Sequence, residues 1–350
     1  MDINQLLDFT IEKQASDLHL VPGFFPSIRI NGQLTHLKQL EILTADFSKT
    51  MLVSLLNDAQ KENLVANKEI DFGYEYKSFR FRVNLYLTRT GLSGSFRLIG
   101  SKIRTIEELS LPNSLHNFTK FNQGLVLITG PTGEGKSTTI AALINEINQN
   151  SAKHIITVED PIEYVFPVGR SIISQRELHQ DTHSWTIALR SALREDPDIV
   201  MIGEMRDYET IQAALTIAET GHLVFSTLHT GSTPEAINRI IDVFPSHQQN
   251  QVRSQLAEIL KAVVAQRLVI NAQGTNRIPA LEILYNIPSI ASVIREGKTH
   301  LIDNILETEE AQGLLIFEKY LAALVQKGLI TRETAFACSI RPEEIKKFLK

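Results

Sequence analysis

The sequence predicts an α/β fold with a mainly parallel sheet, preceded by a small α+β domain. Three observations lead there. From residue 124 onward, apolar runs of strand length ("GLVLITG", "HIITVED", "DIVMIGE", "HLVFSTLH") are separated by segments of helical period such as "TIQAALTIAETG". That alternation is the pattern of a parallel sheet with helical crossovers. The first of these runs leads directly into "GPTGEGKSTT" and then the helix-spaced "IAALINEI". Before residue 100 the pattern is different, with short alternating strands interrupted by helices, as in an antiparallel sheet with helices packed on it.

Taken in order, "INQLLDFTIEK" has the spacing of a helix, while "DLHLV" and "SIRINGQLTHL" read as strands with Asn31-Gly32 as a hairpin turn. A helix over "ADFSKTMLVSLL" follows, then strands over "DFGYEY", "FRFRVNLYLT" and "GSFRLIG". The change of pattern places a junction near residues 100 to 115. Beyond residue 230 the chain is expected to be mostly helical, through "QVRSQLAEILKAVVAQRLV" and "LLIFEKYLAALVQKG". No internal repeat or low-complexity linker interrupts it.

Composition narrows the function classes. At 350 residues, 43% hydrophobic and 21% charged, the chain is of ordinary globular type and long enough for two domains. A net charge of -5 supplies no long-range attraction for nucleic acid, which is therefore not expected as a partner. The single cysteine, Cys338, makes neither an internal disulfide nor a Cys-rich zinc site, and "MDINQLLDFTIEK" lacks a signal-peptide core, so a cytoplasmic setting is expected. No stretch approaches 18 consecutive apolar residues, so the protein is not expected to span a membrane, though it can rest against one.

"GPTGEGKSTT" matches G-x-x-x-x-G-K-[ST] at Gly130, Gly135, Lys136 and Ser137. A glycine-rich turn lets backbone N–H groups curl around phosphate oxygens, the following helix presents its positive end, and the lysine adds a point charge. Ser137 is placed to hold Mg²⁺. A chance match in a chain of this composition has a probability on the order of 1%, and the strand-before, helix-after context lowers it further. The bland alternative is a glycine turn preceding a helix.

Such a loop needs an acid for the metal and a group that places water. "DIVMIGE" ends in Glu204, which a buried strand would deliver to the C-terminal edge of the sheet, beside the loop. "HIITVED" ends at the same edge in Glu159 and Asp160, followed by Pro161 and Glu163. A carboxylate there can orient water or accept its proton, with Glu163 and Glu204 favoured over a reading as helix caps or solvated acids. His222 and His229 bracket "LVFSTL"; strand alternation does not bring them to one point, which argues against a shared metal, and two hydrogen-bonded strand-end histidines are the alternative. Arg82 and Arg97, fifteen positions apart, lie on what read as two strands of one antiparallel sheet in the first domain, so both guanidinium groups can emerge on the same face. A planar guanidinium suits a γ-phosphate, whereas the plainer reading pairs each arginine with a carboxylate such as Asp71 or Glu75.

Together, "GPTGEGKSTT", "ITVEDPIEY", "MIGEMRD" and "ETGHLVFSTLHT" resemble the Walker A, Asp box, Walker B and His box of the ATPases that drive type II secretion and type IV pili. "ASDLHL", "RINGQL" and "FRFRVN" are similar to that family's N-terminal PAS-like domain. The resemblance implies a PAS-like domain over 1–100, a linker over 101–115 and a RecA-like P-loop ATPase domain over 116–350, with a helical C-terminal region from about 287. It implies ATP and Mg²⁺ as cofactors, bound by Gly130, Pro131, Thr132, Gly133, Glu134, Gly135, Lys136, Ser137 and Thr138. Glu163 would place the water and Glu204 support the metal. His222 and His229 would sense the γ-phosphate, and Arg82 and Arg97 would neutralise charge from the first domain.

The family forms six-membered rings against an inner-membrane platform protein, so a homohexamer peripheral to that membrane is implied, with a paralogous ATPase as a further partner. The short N-terminus and the tail "PSIASVIREGKTHLIDNIL" are most similar to the retraction, or twitching-motility, branch; extension, competence or type II secretion is the alternative, or an accessory role in a ring. Extension and type II members usually carry extra N-terminal domains and a four-cysteine zinc insertion. Two departures stand out. Glu134 occupies a position where the family commonly has serine and is expected to point away from phosphate. The segment Ser289 to Glu296 reads "SIASVIRE", with Ala291 and Ser292 where retraction members often have Arg and Asn.

Overall fold

A computed structural model describes residues 2–30, 32–77, 79–100 and 103–349, in two units: residues 1–102 with 161–165, and residues 103–160 with 166–350. The first unit runs α1 (Ile3–Glu12), β1 (Asp17–Leu20), β2 (Ser27–Ile30), β3 (Gln33–His36), α2 (Ala45–Val53), α3 (Asp58–Asn67), β4 (Glu69–Tyr76), β5 (Phe79–Thr88) and β6 (Gly91–Ile99). Its six strands pair antiparallel in the order β3-β2-β1-β6-β5-β4. Alternation explains the core: Phe81, Val83 and Leu85 of β5 share one buried face with Phe96 of β6, covered by Leu6 and Leu7 of α1 and Leu52 of α2. The helix α1 starts where a capping box predicts, with Asp2 and Gln5 exchanging hydrogen bonds with each other's backbone amides. The strands expected over "SIRINGQLTHL" are β2 and β3; Asn31 of the expected turn lies outside the described residues. The helix α3 was not anticipated: its weak apolar spacing buries Leu64 alone.

In the second unit a 3₁₀ segment (Asn113–Lys120) precedes β7 (Gly124–Thr129), α4 (Lys136–Asn150), β8 (His154–Glu159), β9 (Ile172–Glu177), α5 (Trp185–Ala192), β10 (Ile199–Ile202), α6 (Tyr208–Glu219), β11 (Leu223–Leu228), α7 (Thr233–Asp242) and α8 (Ser246–Ile259). Next come β12 (Leu260–Ile270) and β13 (Arg277–Tyr285), then α9 (Pro288–Arg295), α10 (Ile302–Thr308), α11 (Phe317–Gln326), α12 (Arg332–Cys338) and α13 (Pro342–Phe348). The sheet order is β13-β12-β7-β11-β10-β8-β9, parallel throughout except for the β12–β13 pair. Side chains alternate between two buried faces. Leu125 and Leu127 of β7 join a core with α6, α7 and α8, whereas Val126 and Ile128 join one with α4 and the 3₁₀ segment. Burial on both faces is why these strands read as continuous apolar runs.

One expectation is corrected. "QVRSQLAEILKAVVAQRLV" is not a single helix: α8 stops at Ile259, and from Leu260 the chain is a strand between β7 and β13. Val263, Val264 and Val269 favour the extended state through their branched Cβ atoms, and β13 supplies the partner. The helical expectation holds from α9 onward.

Candidate active site

The loop 130–135 joins the C-terminal end of β7 to α4, at the edge where β8, β10 and β11 also end. Gly130 has φ 149°, and a Cβ there would sit 2.3 Å from the Gln266 carbonyl oxygen of β12, so only glycine fits. Gly135, at φ 77°, starts α4 in the left-handed region, and among the described residues no side chain caps that helix. The glycine brings no capping side chain of its own to the helix's first turn, beside the loop. Lys136 is buried, its Nζ donating to Gly130 O at 2.8 Å and Pro131 O at 2.9 Å. Its ammonium is thereby held across the loop. The carboxylate of Glu134 turns onto β12 and accepts the Leu268 amide, which directs its charge away from the loop's mouth.

Beside the loop, β10 delivers Glu204. One carboxylate oxygen accepts from Arg206 Nη2 at 2.8 Å and the other from His229 Nε2 at 3.0 Å. Burial disfavours its charge, but Arg206 and His229 outweigh that and hold its carboxyl below the ordinary value. His229 also meets Thr132 Oγ1 through Nδ1, at 3.2 Å. His229 thus bridges the loop and the acid. A buried threonine pair supports this edge: Thr129 Oγ1 donates to Thr230 O at 2.7 Å and accepts Thr230 N at 3.1 Å, tying β7 to the segment after His229.

The strand β8 ends in Glu159, which is buried and accepts from Thr157 Oγ1 at 2.7 Å and Gln175 Nε2 at 3.2 Å. Glu163 is exposed, in the segment 161–165 that groups with the first unit. His222 lies away from the loop. It precedes β11, and its carbonyl accepts the Gly124 amide at the start of β7, so it sits at the opposite edge of the sheet from the loop. A six-residue strand separates it from His229, roughly 20 Å at about 3.3 Å per residue. His222 Nδ1 instead meets Thr220 Oγ1 and Ile217 O. One chain's γ-phosphate cannot meet both histidines.

In the first unit, Arg82 and Arg97 are direct register partners across β5 and β6, so they share a face as the spacing predicted. Arg82 forks onto Asp71 (Nη2–Oδ2 2.6 Å, Nε–Oδ2 3.1 Å), and Arg97 Nε reaches Asp17 Oδ1 at 3.0 Å. Reading the sequence missed Thr129, Thr230 and Gln266. Only Gln266 had a visible signal, as a polar residue inside the apolar run "AVVAQRLVI".

Backbone turned by glycines, an uncapped helix start and a buried lysine fit a nucleotide's phosphate chain. The Ser137 hydroxyl with an ionised Glu204 offers the hard oxygen donors that suit Mg²⁺. Fold and loop together define a P-loop ATPase. The chain belongs to the type II/IV secretion system protein family, whose profile matches residues 1–332. It is 44% identical over 336 residues to the type IV pilus retractation ATPase PilT of Pseudomonas aeruginosa, covering 96% of this chain and 97% of that protein. It is 45% identical to a twitching motility protein of Neisseria gonorrhoeae, over 89% of this chain and 83% of that one. A crystal structure of the pilus retraction motor PilT with bound ADP superimposes with a TM-score of 0.93 at 40% identity, covering 99% of both chains. Among the described residues no helix is long and apolar enough to cross a membrane.

Proposed function

We propose that this chain is the ATP-driven motor that retracts a type IV pilus, acting as a homohexamer on the cytoplasmic side of the inner membrane against a platform protein, with a paralogous ATPase as a further partner. The observation that carries the reading is the end-to-end likeness to the pilus retraction ATPase in both sequence and fold. Residues 130–138 hold the phosphates, and Ser137 and Glu204 hold Mg²⁺, which when bound neutralises charge on the β- and γ-phosphate oxygens. Glu163 orients the attacking water and accepts its proton. His229, already joined to both Thr132 and Glu204, reports on the γ-phosphate. Arg82 and Arg97 supply positive charge to the same group from the first unit, exchanging their aspartate partners for phosphate.

A second reading, a motor for extension, competence or type II secretion, draws on the tail. Ala291 and Ser292 lie on α9, partly exposed, beside the buried Ile290 and Ile294 that anchor the helix. Ala291 also packs against the core of the second unit. Deleting the gene and counting surface pili separates the readings. Excess pili are expected for a retraction motor; bald cells would overturn retraction in favour of extension.

A further inference from the structure

Gln266 lies on β12, next to the strand that feeds the P-loop, and is 2% exposed. Both ends of its amide are engaged. Nε2 donates to the Glu134 carbonyl at 2.7 Å, and Oε1 accepts the Thr139 hydroxyl, from the first turns of α4, at 2.8 Å. Its own carbonyl oxygen is the atom that closes off Gly130. One buried side chain thus touches the loop near its end and the helix after it, while its backbone backs the loop's start.

We propose that Gln266 is a positioning residue that sets the P-loop's amides for phosphate. In a trans peptide the carbonyl of one residue and the N–H of the next point in opposite directions. Drawing the Glu134 carbonyl onto β12 therefore turns the Gly135 N–H away from β12, toward the loop's mouth. The Glu134 carboxylate, bound to the Leu268 amide, fixes the same residue at a second point and keeps its charge off the phosphate. Because Thr139 donates to Oε1, the amide presents its N–H₂ end, not its oxygen, to Glu134. The arrangement costs the site no reorganisation when nucleotide arrives.

An amide that grips the ground state and the transition state alike changes affinity more than turnover. In Gln266→Leu the donor to Glu134 is gone. The dissociation constant for ADP and the KM for ATP should each rise about tenfold, the scale of one hydrogen bond to a charged group, with kcat within about threefold. Gln266→Glu keeps the acceptor for Thr139 but sets an oxygen against the Glu134 carbonyl, so it should be at least as impaired. An ADP dissociation constant within about twofold of wild type in folded Gln266→Leu protein overturns the proposal, as does a fall in kcat with KM unchanged. If Gln266→Leu does not fold, Thr139→Val decides: weaker ADP binding supports the proposal, and unchanged binding overturns it. The inference rests on the phosphate-binding reading of the loop, which ADP binding by the wild-type chain tests separately.

Discussion

The second unit holds a buried lysine and a half-buried arginine in two different ways. At the P-loop, Lys136 reaches the carbonyls of Gly130 and Pro131, neutral groups on the loop's own backbone. In the C-terminal region, Arg341 Nη1 is shared by Glu282 of β13 and Glu318 of α11, each at 3.0 Å, while Nη2 meets Asp303 of α10. Glu282 and Glu318 are fully buried, and their other oxygens are also taken, by Thr233 at the start of α7 and by the Ile340 and Arg341 amides. Burial alone would lower the arginine's pKa, but the surrounding carboxylates reverse this and keep it charged far above neutral pH. The difference separates two uses of a buried charge. A lysine that reaches the loop's carbonyls can turn to an incoming phosphate, whereas an arginine closed by carboxylates from three elements is a structural knot.

That comparison is most exposed at the knot. Arg341→Leu would leave two buried carboxylates without their cation and should cost about 3–5 kcal/mol in urea unfolding, with ADP affinity of the folded protein little changed. A loss under about 1 kcal/mol would mean the knot is not structural. Arg82 and Arg97 test the opposite case, of arginines paired near the surface: Arg82 and Asp71 are both about 40% exposed. Replacing either arginine by alanine should lower turnover by roughly 10³, by analogy with arginine fingers, while stability moves by less than about 1 kcal/mol in Arg82→Ala, whose partner is as exposed as the arginine itself. Near-normal turnover in both variants would leave them as ordinary surface pairs.

Smaller effects sharpen the picture. Gly130→Ala must push the loop away from β12, because its Cβ would lie 2.3 Å from Gln266 O. A destabilisation of about 1–3 kcal/mol and weakened ADP binding are expected, from thermal midpoints and nucleotide titration. The smallest effect concerns His116, in the 3₁₀ segment, whose Nδ1 meets Glu146 of α4 at 2.8 Å and whose Nε2 meets Glu107 at 2.9 Å. Glu146 foremost, and Glu107 with it, raise its pKa above 6.5. A raised pKa gives stability that is complete below the unfolded value and is lost as pH rises through the folded one. The urea midpoints of wild type and His116→Gln should therefore differ at about pH 6 and converge at about pH 9.

What could be read from the sequence was what is local. The P-loop, its strand and its helix are contiguous, and Glu204 ends a strand whose apolar run is unmistakable. Arg82 and Arg97 could be placed on one face because an antiparallel pair maps spacing directly onto register. His222 and His229 were legible as the two ends of one strand, and only the family resemblance assigned both of them to the γ-phosphate. The strand β12 was hidden: buried on both faces, it lacks alternation and continues the period of α8. Gln266 acts through partners more than a hundred positions away, and Arg341 through partners between 23 and 59 positions away, pairings that only the fold creates.

On this reading the Lys136 charge serves phosphate rather than the fold. Steady-state ATP hydrolysis by Lys136→Ala with Mg²⁺, measured beside its thermal midpoint, tests it directly. Turnover should fall by at least about a hundredfold at a midpoint close to wild type. Unchanged turnover, or lost activity explained entirely by unfolding, would contradict it.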